Sequence, residues 1–173
     1  MVLLFLLTAC DRRTVYNHFE HTPVTGWEKN DTLTFVTDPV PQAGNYHEQV
    51  GLRITGDYPF LQLYLIIEQR VLPSATTTEG SNDVQTSNIK HQTSDIKNQT
   101  VQPRRDTLNC SVINERGNAT GDGVGQFQYE FPFTTLSLNE GERLHITIRH
   151  DMKREILPGV TDVGLRVTKA FKH

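Results

Sequence analysis

Cys10 closes the run MVLLFLLTAC, and charges follow at once in DRRTVYNHFEH. Leu7, Thr8, Ala9 and Cys10 have the order of a bacterial lipobox: a leucine, two small residues, then a thiol. Small residues let a signal backbone lie extended in a peptidase groove, and the thiol can take a diacylglycerol group. A short apolar run also suits a buried strand, but the lipobox order favours cleavage and acylation. The run is too short to span a bilayer as a helix, which takes about 20 residues. Residues 1–9 are thus predicted to be a lipoprotein signal peptide, with Cys10 the lipidation site. No Lys or Arg precedes Arg12. The basic region that such signals carry is therefore expected upstream, with the start codon assigned too late. Several acyl chains on one cysteine, at about 0.8 kcal/mol per buried methylene, anchor a protein to a membrane without spanning it.

Other chemistry-bearing residues form weaker patterns. His145 and His150 are an odd number apart on one expected strand, so they face opposite ways and cannot share a metal ion. His18 and His21 have no third ligand nearby, and all four histidines read as solvated. No metal site or cofactor is expected. RGNATGDGVG is glycine-rich, but it runs into the strand-like FQYEF rather than a helix, so it reads as a hairpin loop and not a phosphate cradle. Its Asp122 alone is a weak calcium signal. In RHDMKRE, Arg149, Lys153 and Arg154 could form a rim contacting an anionic partner, although Asp151 and Glu155 balance the charge. No nucleophile elbow or paired-carboxylate cleft is visible, and the chain is read as non-enzymatic.

The elements that must position these residues are strands. HEQVGLRITG puts Val50, Leu52 and Ile54 on one face, and RLHITIRHD puts Leu144, Ile146 and Ile148 on one face. Phe127, Tyr129, Phe131 and Phe133 share a face, as do Leu108, Cys110 and Val112, and then Val163, Leu165 and Val167. This period of two marks half-buried strands. FLQLYLIIEQRVL is more continuously apolar and is predicted to be a central strand covered on both faces. Glycine-containing turns separate the runs, and no long segment has helical period. Seven or so short strands predict an all-β fold, an antiparallel β-sandwich or jelly-roll-like single domain.

Residues 10–29 read as a lipidated tether and lead-in segment, and 30–173 as the sandwich domain. Residues 74–102 interrupt that domain as a low-complexity loop insertion. This stretch contains the tandem repeat QTSNIKH-QTSDIKN at residues 85–98, with one apolar residue per unit. Such composition buries too little apolar surface to offset ordering entropy, so a long disordered loop is expected. The net charge of −3 argues against a nucleic-acid partner, which calls for a strongly basic face. With Cys10 acylated, Cys110 has no partner within the chain and reads as a small core residue.

HDMKREILPGVTDVGLRV resembles the C-terminal stretch of the gliding-motility lipoprotein family GldH. Cys10-Asp11, Tyr16, Gly26-Trp27, Asp31-Thr32-Leu33, VGLRITGDYPFLQLYLIIEQ and RRDTLNC resemble the same family in order. The resemblance lapses between Ser74 and Gln102. It implies a β-sandwich lipoprotein of the cell envelope, an accessory component of gliding-motility-type machinery that acts by docking to a protein partner. A membrane, through the lipid, and an envelope protein are the expected partners. No acidic run follows Cys10, so the expected location is the outer membrane, facing the periplasm. The alternative is a glycan-binding jelly roll. That reading calls for exposed aromatics, and most Phe and Tyr here fall on inward faces. Asp31-Thr32-Leu33 and Asp106-Thr107-Leu108 resemble the short O-glycosylation signal of exported proteins in bacteria that carry this family. Thr32 and Thr107 are thus candidate modification sites.

Overall fold

The computed structural model describes residues 13–74 and 103–171. Eleven strands make up this part: β1 (Thr14–His21), β2 (Trp27–Glu28), β3 (Leu33–Val36), β4 (Gly44–Thr55), β5 (Gln62–Leu72), β6 (Arg104–Ser111), β7 (Asp122–Val124), β8 (Gln126–Leu138), β9 (Arg143–His150), β10 (Ile156–Leu157) and β11 (Val160–Lys169). One sheet has the order β1-β11-β4-β8-β7 and the other β3-β9-β5-β6, while β10 and β2 form a separate two-stranded ribbon. All these pairings are antiparallel. The fold is all-β with a sandwich-like arrangement, as the alternation implied. The count exceeds seven because β2, β7 and β10 have only two or three residues each and leave no periodic signal, and because β1 falls in the segment read as a tether.

The core lies between the two sheets. β9 is the plainest case: Leu144, Ile146, Ile148 and His150 are buried, and the residues between them are half-buried. Val50, Leu52 and Ile54 of β4 and Val163, Leu165 and Val167 of β11 meet them from the other sheet. Cys110 is buried in this core as a free thiol, and burial pushes its pKa up to about 12.

Two expectations need correction. β5 is interior to its sheet but is not covered on both faces. Leu63, Leu65 and Ile67 point into the core, whereas Tyr64 and Arg70 are exposed on the outer face. Ile66 is the outer-face residue that supplied the misleading continuity; it is buried on that side all the same. The segment 10–29, expected to be a tether, joins the fold from residue 14 onward. β1 forms the edge of the five-stranded sheet, paired with β11 from Thr14↔Thr168 to His21↔Asp162. Trp27, in the same segment, is wholly buried.

A repeated tetrapeptide explains how β1 is held. β4 and β11 both carry Val-Gly-Leu-Arg, at 50–53 and 163–166, and they pair so that Gly51 faces Gly164. A Cβ on either glycine would come within 2.6 Å of the Phe19 ring. The two glycines thus make a floor for Phe19, and the Arg53 guanidinium sits 4.2 Å from its ring centroid. Strand glycines commonly mark such a close approach.

The antiparallel connections divide the sandwich into two poles. Arg13, residues 37–43, residues 139–142 and Phe171 gather at the near pole, where β1 begins. Residues 22–32, 56–61, 112–121 and 151–159 gather at the far pole. The eight residues of β1 separate the poles by about 26 Å.

Candidate functional site

The basic turn after β9 lies at the far pole, and its root is an aromatic clamp. Alternation carries His150 inward one step beyond Ile148. Its Nε2 lies 3.1 Å from the Trp27 carbonyl oxygen, and the Met152 N–H donates to Nδ1 at 3.3 Å. The protonated nitrogen is therefore Nε2, donating to Trp27. The two rings meet edge to face at 5.2 Å. Burial, the largest influence, lowers the His150 pKa, so the neutral ring is favoured. The expectation of a solvated His150 is thus corrected. The correction follows from the same period-two pattern that places Leu144, Ile146 and Ile148.

Further bonds hold the turn from both sides. Trp27 Nε1 donates to the Asp31 carbonyl at 3.0 Å. The Lys29 N–H donates to the Glu155 carbonyl at 2.8 Å, and the Asp151 N–H to the Tyr64 carbonyl at 2.8 Å. β10 pairs with β2 through Ile156↔Glu28 and Leu157↔Trp27. Between these fixed points Lys153 and Arg154 are exposed, together with Asp151 and Glu155. Exposed Val24, Leu61 and Ile156 lie at the same pole. The result is a rigid, mixed-charge prominence with apolar neighbours. That suits recognition of another macromolecule better than bond-making chemistry.

Arg149 does not belong to this prominence. It is half-buried on the outer face of the four-stranded sheet, level with Ile66, which pairs on its other side with Thr107. Leu33 pairs with Ile148, so continuing the register brings Thr32 level with Arg149. Thr32, Arg149, Ile66 and Thr107 therefore form one row across that face. Both threonines are exposed and stand about 14 Å apart, three strand spacings. Sequence alone could not bring them together, because strand order decides it. Cys10 lies outside the described residues.

Among the described residues His18, His21 and His47 are exposed and His145 is half-buried. His18 pairs with Glu20 at 3.0 Å, and His21 Nδ1 lies 2.5 Å from the buried Asp162 carboxylate, which Arg53 also approaches at 3.7 Å. Among the described residues no group of three His, Cys, Asp or Glu side chains could hold a metal ion. A depression of about 840 Å³ is lined by Ser111, Gly121, Asp122, Gln128, Tyr129 and Glu130, among others. Tyr129 and Phe131 stack at 6.0 Å there, but Tyr129 is buried and offers no open ring face. The exposed aromatics among the described residues are Tyr64 and Phe171, at opposite poles. They do not form a shelf for a sugar.

The model of the GldH lipoprotein family matches residues 14–87 and 81–167. The chain belongs to the GldH lipoprotein family. The two matched stretches overlap at residues 81–87. The gliding motility lipoprotein GldH of Flavobacterium johnsoniae is 22% identical over 174 residues, covering 96% of this chain and 92% of that protein. A GldH homolog of Christiangramia forsetii is 22% identical over 176 residues, covering 96% of this chain and 91% of that protein. The family-like stretches map largely onto packing. Gly26-Trp27 is the clamp, and the two Val-Gly-Leu-Arg segments are the floor under Phe19.

Proposed function

We propose that this GldH-family protein is held to the envelope by acylated Cys10 and works by docking, without catalysis, to a protein of gliding-motility-type machinery. The observation that carries the reading is the clamp of Trp27 and His150, which fixes the Lys153–Arg154 turn at the far pole. Bonds from three separate segments converge on one turn whose Lys153 and Arg154 are exposed. A docking epitope requires that investment, since preorganisation reduces the ordering cost of binding. Asp11, Arg12 and Arg13 follow the anchor without an acidic run, which favours the periplasmic side of the outer membrane. Thr32 and Thr107 would carry O-glycans on the outer face of the four-stranded sheet.

Crosslinking in intact envelopes, followed by capture of the protein, tests the reading. Lys153→Glu with Arg154→Glu should abolish a crosslinked partner that the wild type retains. Cys10→Ser should move the protein out of the detergent phase. Intact mass from the native host should show acyl chains and two glycan increments, lost stepwise in Thr32→Ala and Thr107→Ala. Unchanged crosslinking by the charge-reversed protein would overturn the docking surface, and a bare polypeptide mass would overturn the modifications.

A further inference from the structure

The near pole ends in an exposed aromatic that the fold itself does not explain. Phe171 is 71% exposed, although the chain leading to it is tightly fixed. The Lys169 N–H donates to the Arg13 carbonyl at 2.9 Å, and the Ala170 N–H to the Asn45 carbonyl at 2.8 Å. The Arg13 guanidinium lies 4.2 Å from the Phe171 ring centroid. A large apolar ring is thus held rigidly in the open and stacked with a cation. Arg13 stands only three residues after Cys10. Three extended residues reach about 11 Å at most. Phe171 is therefore fastened beside the point where the chain must approach its anchor.

From this juxtaposition we infer that the near pole is a lipid-contacting surface, with Phe171 and Arg13 seated among the head groups of the membrane that Cys10 anchors. The inference rests on the acylation proposed above and adds an orientation to it. Aromatic rings favour the interface between water and hydrocarbon, and an arginine can lay its stem along apolar matter while its charge meets phosphate. Asp38 and Glu140 are exposed at the same pole, so ring insertion rather than net charge is the main attraction. The body then stands on end. The far pole is carried about 26 Å farther out by the length of β1, and the Lys153–Arg154 turn points away from the anchoring membrane.

The single tryptophan makes the arrangement measurable. Trp27 is at the far pole, so it should not be quenched by brominated lipid when the acylated protein is reconstituted into vesicles of phosphatidylethanolamine and phosphatidylglycerol. Phe171→Trp adds a reporter at the near pole, and Val24→Trp adds an exposed one at the far pole. The Phe171→Trp increment should lose about half its emission to bromine at shallow acyl positions, as an interfacial aromatic does. The Val24→Trp increment should keep its emission. Mass of the N-terminal peptide reports the acyl chains in the same sample. An acylated peptide with an unquenched Phe171→Trp signal, or with Val24→Trp quenched instead, would overturn the orientation and leave the anchor standing. A peptide without acyl chains would remove both.

Discussion

Two buried titratable side chains, one towards each pole, are held in opposite ways. At the far pole His150 has both ring nitrogens engaged by backbone, one as donor and one as acceptor. Towards the near pole Glu48 of β4 is 1% exposed, and neither carboxylate oxygen has a hydrogen-bond partner. Burial pushes its pKa up to about 8, a rise that nearby Arg104 only partly opposes. Arg104 itself is bonded to Asp106 and to Thr134, the cross-strand neighbour of Glu48. Gln69, paired in register with Arg104, also leaves its buried side-chain oxygen without a partner. A satisfied buried polar group fixes geometry, whereas an unsatisfied one costs stability. The contrast sets a satisfied ring at the pole proposed for docking against an unsatisfied buried carboxyl towards the pole proposed to face lipid.

Removing the clamp should have the largest effect. Trp27→Ala should destabilise the domain by about 3–5 kcal/mol, the usual cost of emptying a buried aromatic site. It should also speed amide exchange at Met152 and Lys153. Urea unfolding with hydrogen exchange checks both; normal exchange in the turn would break the link between clamp and rim.

Neutralising Glu48 should act in the other direction. Its folded pKa of about 8 exceeds the ordinary 4.5. Between these values the folded state holds a proton that the unfolded state has lost, so stability falls as pH rises through that window. Each pH unit separating the folded and unfolded values corresponds to about 1.4 kcal/mol. Glu48→Gln should therefore stabilise the protein at pH 8 by a few kcal/mol and change little below pH 4. Melting curves across pH decide this, and a wild type as stable at pH 8 as at pH 5 would erase the contrast.

His150 should titrate with the opposite sign. Its folded pKa lies below the ordinary 6.5, so the unfolded state binds the proton first. Its contribution is full above that value and is lost as pH falls through the folded pKa. Protonation would also put a second N–H against the Met152 N–H. Lys29, Asp151 and Glu155 are the charged groups acting on the ring. Protection of the Met152 amide, taken relative to its intrinsic exchange rate, should fall below pH 6.5 in the wild type, and that pH dependence should flatten in His150→Gln.

The smallest effect is expected from deleting residues 75–102. β5 and β6 are adjacent and pair up to Gln69↔Arg104, so a short glycine-containing turn can replace the connection at the near pole. Loop-closure entropy changes only logarithmically with length, and stability should shift by about 1 kcal/mol or less. A loss of many degrees in Tm would mean that the segment packs on the near pole.

The sequence by itself determined which residues face inward on the long strands, because alternation is a local property that backbone pleating converts into burial. It also determined the all-β class, the family and the basic turn. It could even have given His150, had the alternation been followed past Ile148. Trp27 was harder, since β2 is two residues long and its burial comes from β10, about 130 residues away in the chain. Only the tertiary structure decided the strand order, and with it three juxtapositions. Thr32 and Thr107 stand in one row because β3, β9, β5 and β6 are neighbours in that order. Phe19 rests on Gly51 and Gly164 because β4 and β11 align their repeated tetrapeptides. Arg13 meets Phe171 because β1 and β11 run antiparallel from the near pole. Non-local pairing carries no signature in any one strand, since each strand's own pattern specifies a face and leaves its neighbour open.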